Sequence, residues 1–492
     1  DWSAADWQGL FNFAHGTPIA SQQWRAKAKQ LAQRALKQSV LYNGQTQWLQ
    51  HDQFSSHLSR LALMLADHSY SAAGKQTKWW DEKYQVFANT DKKDANGKRP
   101  LKQRLDEHNI GVGQNALLLA RQLPNLRSNL PVLVSHKTLK SRSSNSGYRW
   151  QDTAFDIATG LSAVSSKQGF FGVNMASTGK GKTFANARIM YGLATEQQGC
   201  RFSVALGLRT LTLQTGDALK ERLKLDSDEL AVLVGSQAVQ ELHRRRTEQN
   251  EPAESAQSGS ESSADLLDDT QHVSYDGTLS DGPLRRWLGQ NAYGQPSKSL
   301  QLLSAPVLVC TIDHLMPATE GVRGGKQITP MLRLLTSDLV LDEPDDFDST
   351  DLPALCRLVN WAGLLGSRVL LSSASMPPAM LTALFSAYQA GRKQFNRACG
   401  TPGQSDEICC AWFDEFGALS SNCTDQQAFK VSNSEFVATR VKHLKADLEP
   451  GKALRLAEVL DVETISGSKE EAVDALCASL WEGMTQLHQS HA

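Results

Sequence analysis

Two stretches of this 492-residue chain hold residues whose types and spacing suit chemistry on a phosphate. The first is Ala176-Ser177-Thr178-Gly179-Lys180-Gly181-Lys182-Thr183. Its Gly-Lys-Thr ending is that of a P-loop, with Ala176 where the commonest pattern has Gly. Gly179 and Gly181 permit a backbone that closes its N–H groups on phosphate oxygens, and Ser177, Thr178 and Lys180 complete the cradle. Lys182 would reach the β- and γ-phosphates, and the Thr183 hydroxyl would hold Mg²⁺. The second stretch is "SDLVLDEPDDFD", residues 337–348, in which an apolar run empties into Asp342 and Glu343. Asp342 would bind the Mg²⁺, and Glu343 would orient or deprotonate an attacking water. Clustered carboxylates repel one another, and a bound cation relieves that repulsion. Lys182, Asp342 and Glu343 are the candidate catalytic residues.

Both stretches need rigid elements around them. "GFFGVNM" reads as a buried strand before the loop and "TFANARIMYGLA" as a helix after it. The Gly-Lys-Gly-Lys turn then meets a helix amino terminus, where free N–H groups and the helix dipole favour an anion. From about 148 onward, β-rich runs ("RFSVALGL", "ELAVLVG", "PVLVCTI", "SDLVLDE", "SRVLLSSAS") alternate with helical ones. That alternation predicts an α/β lobe with a mostly parallel sheet and flanking helices. Residues 21–70 carry apolar positions at helical spacing without Gly or Pro, and "IGVGQNALLLARQLPNL" continues the helical region. Residues 73–100 read as a loop, 136–147 as a linker, and 244–282 as a disordered, Ser- and acid-rich insertion. The lobe is expected over 148–390, and 391–492 as connector and helical segment.

Composition narrows the class. The chain is 40% apolar and 21% charged with a net charge of −1, so any nucleic-acid surface must be a local patch. No apolar run approaches the roughly 20 residues of a membrane span, and "DWSAADWQGL" lacks the features of a signal peptide. The eight cysteines include no Cys-x-x-Cys pair, which fits reduced thiols in the cytoplasm and no membrane partner.

The ordered motifs resemble those of superfamily-2 helicase motors. "YRWQDTAFDIA" is similar to the adenine-reading Q motif, with Gln151 as its reader. "ALGLRTLTLQTGDAL" and "CTIDHLM" stand where two DNA-tracking motifs fall, and Arg209, Thr210, Gln214 and Thr311 would meet the phosphate backbone. "LLSSASMPP" resembles the coupling motif, here Ser373-Ala374-Ser375, with Ser375 in place of Thr. Together with "LALMLADHSYSA", these stretches closely resemble the type I-F CRISPR-associated helicase-nuclease. The resemblance implies a RecA-like motor lobe fed by ATP and Mg²⁺ that moves along single-stranded DNA. It also implies recruitment by an RNA-guided surveillance complex, and an adaptor domain that joins the CRISPR integrase subunit.

In that family a metal-dependent HD nuclease precedes the motor, using a transition metal such as Mn, Fe, Co or Ni. Residues 1–135 would be the helical, carboxy-terminal part of such a domain. Ala66-Asp67-His68-Ser69-Tyr70-Ser71 matches the Ala-Asp-x-x-x-Ser of its last helix, so Asp67 is the implied ligand, with Ser71 on the same face. His68 reads as a packing neighbour, and His108 as a structural histidine in preference to a metal ligand. The His51-Asp52 pair is set aside, because the family's His-Asp pair comes earlier and is accompanied by further histidines. The family's upstream nuclease motifs and second motor lobe are not found, so the chain is expected to be a fragment that binds nucleotide weakly and cuts nothing. Two other classes compete: a DNA-independent P-loop switch and a non-catalytic docking module.

Overall fold

Among the described residues, nine strands form one sheet in the computed structural model. They are β1 (Phe170–Asn174), β2 (Phe202–Leu206), β3 (Leu230–Val234), β4 (His272–Ser274), β5 (Val307–Thr311), β6 (Asp338–Asp342), β7 (Val369–Ser372), β8 (Ile408–Phe413) and β9 (Ala418–Cys423). Their order is β4-β3-β5-β2-β6-β7-β1-β8-β9. All pairings are parallel except the two at the edges, β3 with β4 and β8 with β9. The structure describes residues 13, 15–38, 52–91, 93–195, 198–207, 209–225, 229–234, 272–274, 283–288, 297–320, 324–347, 349–447 and 468–491. It divides into two compact units, Asp1–Phe436 and Val437–Ala492, the second holding the end of one helix (Gln426–Asp447) and the helix Lys469–His491.

The central strands read as unbroken apolar runs because both of their faces are covered. Every residue of β1, β2, β5, β6, β7 and β8 is buried, while the edge strand β9 is partly exposed along most of its length. Helices α1 (Gln22–Ala35), α2 (Gln53–Ala72) and α3 (Leu105–Gln122) make up the helical region before the sheet. Asp52 caps α2 by accepting the Ser55 N–H at 3.0 Å and the Ser55 hydroxyl at 2.6 Å, so it serves the helix start. Helices α4 (Trp150–Gln168), α5 (Lys182–Leu193), α6 (Arg209–Leu223), α7 (Ile328–Thr336), α8 (Leu352–Leu364) and α9 (Pro378–Cys399) belong to the lobe.

The helical region is tied to the sheet by a buried ion pair. Arg127, just after α3, grips Asp338 at the start of β6 with two hydrogen bonds of 3.0 and 2.8 Å. The backbone N–H of Arg368 donates to the same carboxylate at 3.0 Å. These cations hold Asp338 below the usual carboxylate range against the opposing effect of burial.

Three boundaries differ from those the sequence suggests. The lobe does not stop at 390: α9 runs on to Cys399, and β8 and β9 extend the sheet on the far side of β1. Residues 136–147 are packed, with a helical turn at Lys137–Lys140 whose Leu139 is buried and whose carbonyl accepts from Arg188 Nε at 3.1 Å. The 244–282 insertion lies outside the described residues except for His272–Ser274, which form β4. All eight cysteines are free, and no described helix is long and apolar enough to cross a membrane.

Candidate nucleotide site

Parallel register brings the ends of four strands to one level. Asn174 at the end of β1 pairs with Ser372 of β7 on one side and with Phe413 of β8 on the other. Asp342 at the end of β6 pairs with the same Ser372. The segments leaving β1, β6, β7 and β8 therefore crowd together, at the carboxyl edge where open α/β sheets bind ligands.

The loop leaving β1 is fixed at its start, its middle and its exit. Asn174 Oδ1 accepts the Ala176 N–H at 3.2 Å, and Asn174 Nδ2 donates to Asn186 Oδ1 of α5 at 2.8 Å. Gly179 and Gly181 both adopt left-handed backbone, with φ of 82° and 79°. A side chain at Gly181 would also collide with Gln151, whose Nε2 lies 2.7 Å from the built Cβ position. Between the anchored ends, Thr178, Gly179 and Lys180 are exposed. Lys182 opens α5 and Thr183 follows it, half-buried in the first turn.

Lys182 is nearly buried and forms an ion pair of 3.0 Å with Glu343. Glu343 is left-handed, with φ of 51°, and its N–H donates to the Ser372 carbonyl at 2.7 Å. A non-glycine residue in that region stores strain, as functional positions often do. Asp342 is buried beside it, and its Oδ1 has no hydrogen-bond partner. Burial chiefly, with the neighbouring Glu343 and Asp345 carboxylates, pushes Asp342 up to about 6, against the pull of the Ser372 hydroxyl and of Lys182. An orphaned carboxylate oxygen beside Lys182 of the loop fits a hard cation such as Mg²⁺, which takes oxygen ligands.

The remaining sequence candidates separate. Gln151 Nε2 donates to the carbonyls of Lys180 and Gly181 at 3.3 and 3.2 Å, beside Trp150 Nε1 at 3.2 Å from the Lys180 carbonyl. The expected adenine reader thus holds the loop itself. Ser373 is buried, its N–H donating to the Asn174 carbonyl at 3.1 Å, and Ala374 follows, half-buried. Ser375 is exposed and donates to Asp345 Oδ2 at 3.3 Å, linking the coupling motif to the acidic one. Arg209, Thr210 and Gln214 all lie on α6. Gln214 is exposed, while the side chains of Arg209 and Thr210 fall outside the described residues. Thr311 departs from expectation: it ends β5 inside the sheet and is only 1% exposed, so its side chain offers nothing to a backbone phosphate.

Sequence reading misses Glu415. This residue leaves β8 and accepts both the N–H and the hydroxyl of Ser177. The signal was available, since "ICCAWFDE" repeats the apolar-run-then-acid pattern of "LVLDE". Treating 391–492 as connector hid it.

A second constellation sits on the helical region. Asp67 of α2 and His108 of α3 approach to 3.5 Å, and Ser71 Oγ lies 3.0 Å from the same His108 Nε2. His108 therefore joins Asp67, where the sequence favoured a structural histidine over a metal ligand. Burial pushes His108 down despite the Asp67 charge. The pair borders a cavity of about 710 Å³ between α1, α2 and α3, which Trp24, Lys27 and Arg34 also line. Two donors fall short of the four or more that a transition metal takes. Among the described residues no group of three or more His, Cys, Asp or Glu is placed to hold a metal.

No family model matches the chain. It is 54% identical over 493 aligned residues to the CRISPR-associated nuclease/helicase Cas3 subtype I-F/YPEST of Pectobacterium atrosepticum. It is 49% identical over 489 residues to the protein of the same description from Pseudomonas aeruginosa. The matches cover 100% and 99% of this chain but 43% of each relative. Crystal structures of T. fusca Cas3 with ATP and with ADP match at TM-score 0.36 and 19–20% identity, over 61% of this chain and 29% of theirs. The chain is thus similar, over less than half of their length, to CRISPR-associated nuclease/helicases of subtype I-F.

Proposed function

We propose that this chain contains the nucleotide-binding motor lobe of an ATP-driven DNA translocase, allied to a metal-dependent DNA nuclease that degrades foreign DNA. The observation that carries the reading is the Lys182–Glu343 pair of 3.0 Å beside the orphaned Asp342 carboxylate. It joins the P-loop lysine to the acidic motif across the ends of β1 and β6. A triphosphate entering the loop offers Lys182 a stronger anionic partner than Glu343. Lys182 then turns to the β- and γ-phosphates, and Glu343 is released to orient the attacking water. Asp342 and Thr183 would hold Mg²⁺, which would supply charge neutralisation at the phosphate oxygens. Ser375, through Asp345, passes the state of the acidic motif to the rest of the motor. Arg209, Thr210 and Gln214 of α6 are the proposed contacts to a DNA backbone.

Within this reading residues 1–135 contribute to the nuclease, with Asp67 and His108 as part of its metal-binding set. The remaining donors lie elsewhere in such a protein, so no nuclease step is assigned to these residues alone. Single-stranded DNA, an RNA-guided CRISPR complex and an integrase subunit are the proposed partners, in the cytoplasm.

Equilibrium binding of a fluorescent ATP analogue with Mg²⁺ tests the proposal, comparing the chain with Lys182→Ala. Binding that is lost in the variant supports the P-loop; equal binding in a folded variant removes Lys182 from the site. Stimulation of hydrolysis by single-stranded DNA, measured in a protein as long as the relatives, separates a translocase from a DNA-independent switch.

A further inference from the structure

The turn between β8 and β9 reaches the nucleotide loop from the side opposite the acidic motif. β8 runs parallel to β1, and the Met175 N–H donates to the Phe413 carbonyl at 2.8 Å, so loop and turn leave the sheet together. The turn is built by Asp414, which is buried and accepts the N–H groups of Phe416 and Gly417 at 2.8 and 2.9 Å. Glu415 is left to face the loop. Its carboxylate accepts the Ser177 N–H at 3.1 Å on one oxygen and the Ser177 hydroxyl on the other.

We propose that Glu415 is a positioning residue for nucleotide binding, fixing the first turn of the P-loop by clamping Ser177 through both of its donors. The proposal rests on the P-loop reading above. Two charge-assisted bonds to one residue set its orientation as well as its place. Trp150 and Gln151 fix the other end of the loop through the Lys180 and Gly181 carbonyls. The exposed Thr178–Lys180 span is thereby held open between two anchors, and a preorganised loop loses less entropy when phosphate arrives. The opposite effect is also physical, because a carboxylate near the loop repels a triphosphate. Glu415→Gln separates the two, since its amide oxygen can accept the Ser177 N–H while its NH2 donates to the Ser177 hydroxyl, with no charge.

The test measures Mg²⁺-dependent binding of the fluorescent ATP analogue to the whole chain, for wild type, Glu415→Ala, Glu415→Gln and Lys182→Ala. Glu415→Ala should weaken binding about tenfold, as the loss of charge-assisted hydrogen bonds implies, and Glu415→Gln should recover most of that loss. The melting temperature without nucleotide should stay unchanged in both, because Asp414 builds the turn. Wild-type affinity in Glu415→Ala, or tighter binding in both variants, overturns the proposal. If Lys182→Ala abolishes binding while Glu415→Ala does not, only the clamp fails; if Lys182→Ala binds normally, the P-loop reading fails with it. Hydrogen exchange at the Ser177–Gly181 amides, without nucleotide, reads the clamp independently of affinity. Exchange should be faster in Glu415→Ala than in wild type or Glu415→Gln, and equal rates overturn the clamp even where the analogue binds too weakly to measure.

Discussion

Asp338 and Asp342 bound the same strand, and both are buried. At the amino end, Asp338 is gripped by Arg127 and Arg368 and held below the usual carboxylate range. At the carboxyl end, Asp342 keeps an orphaned oxygen and is pushed up to about 6. Burial raises both pKa values; the cations facing Asp338 reverse its effect, while at Asp342 two carboxylate neighbours add to it and the pull of Ser372 and Lys182 does not overcome it. One end of β6 is satisfied within the chain. The other is left wanting a cation, which is what a binding site requires and a stable core avoids.

Asp338→Ala should give the largest effect. It strands Arg127 and Arg368 in a low-dielectric setting, and removing one partner of a buried pair costs about 3–5 kcal/mol. Urea denaturation would show this as a lower midpoint. A change under about 1 kcal/mol would mean the pair is not what joins the helical region to the sheet, and the contrast within β6 would collapse.

Asp342→Asn should move stability the other way. A carboxyl raised from 3.8 to about 6 destabilises the fold above that pH, at most by about 3 kcal/mol. As pH falls from 6 towards 3.8 the native state takes up the proton and the penalty fades. The nucleotide-free variant should therefore melt higher than wild type at pH 7, with the difference closing near pH 4. Asp338 has the opposite sign: its lowered pKa supplies stability above 3.8 that is lost as pH falls through the folded value. Parallel pH profiles for Asp342→Asn and Asp338→Asn would erase the distinction. Asp342→Asn should also lose about tenfold of the Mg²⁺-dependent gain in ATP-analogue affinity, an effect of the size expected for one metal-held oxygen. An unchanged Mg²⁺ dependence would remove Asp342 from the metal site.

These two aspartates show what a sequence can and cannot display. "SDLVLDE" reveals a buried strand, and the P-loop upstream singles out Asp342, because spacing and residue type are local properties. The role of Asp338 depends on Arg127, 211 residues away, and nothing local announces that pairing. Glu415 was hidden for the same reason, since its partner Ser177 lies 238 residues away. Its strand, β8, has as apolar a sequence as β6 but lies beyond the expected lobe boundary. Thr311 was misplaced by the converse error: a polar residue at a strand end was given to solvent, while the sheet buries it. The order of motifs was legible; which strand ends become neighbours was not, because strand order is set by the packing of the whole sheet.

Asp67 extends the contrast to a third acid, and its variant should have the smallest effect. Its side chain is 45% exposed, and its 3.5 Å approach to His108 is a partly solvated contact. Asp67→Asn should therefore change stability by less than about 1 kcal/mol and leave ATP-analogue affinity alone. Its signature should be electrostatic. The Asp67 charge raises the His108 pKa against the larger effect of burial, so removing it should lower the His108 midpoint further. Titration of the His108 ring by NMR would follow this, with Ser71→Ala as the companion that alters the hydrogen bond but not the charge. A fixed midpoint in Asp67→Asn would separate the two side chains and dissolve the pair as a unit. A large stability loss would instead place Asp67 with Asp338, as an acid the fold needs for itself.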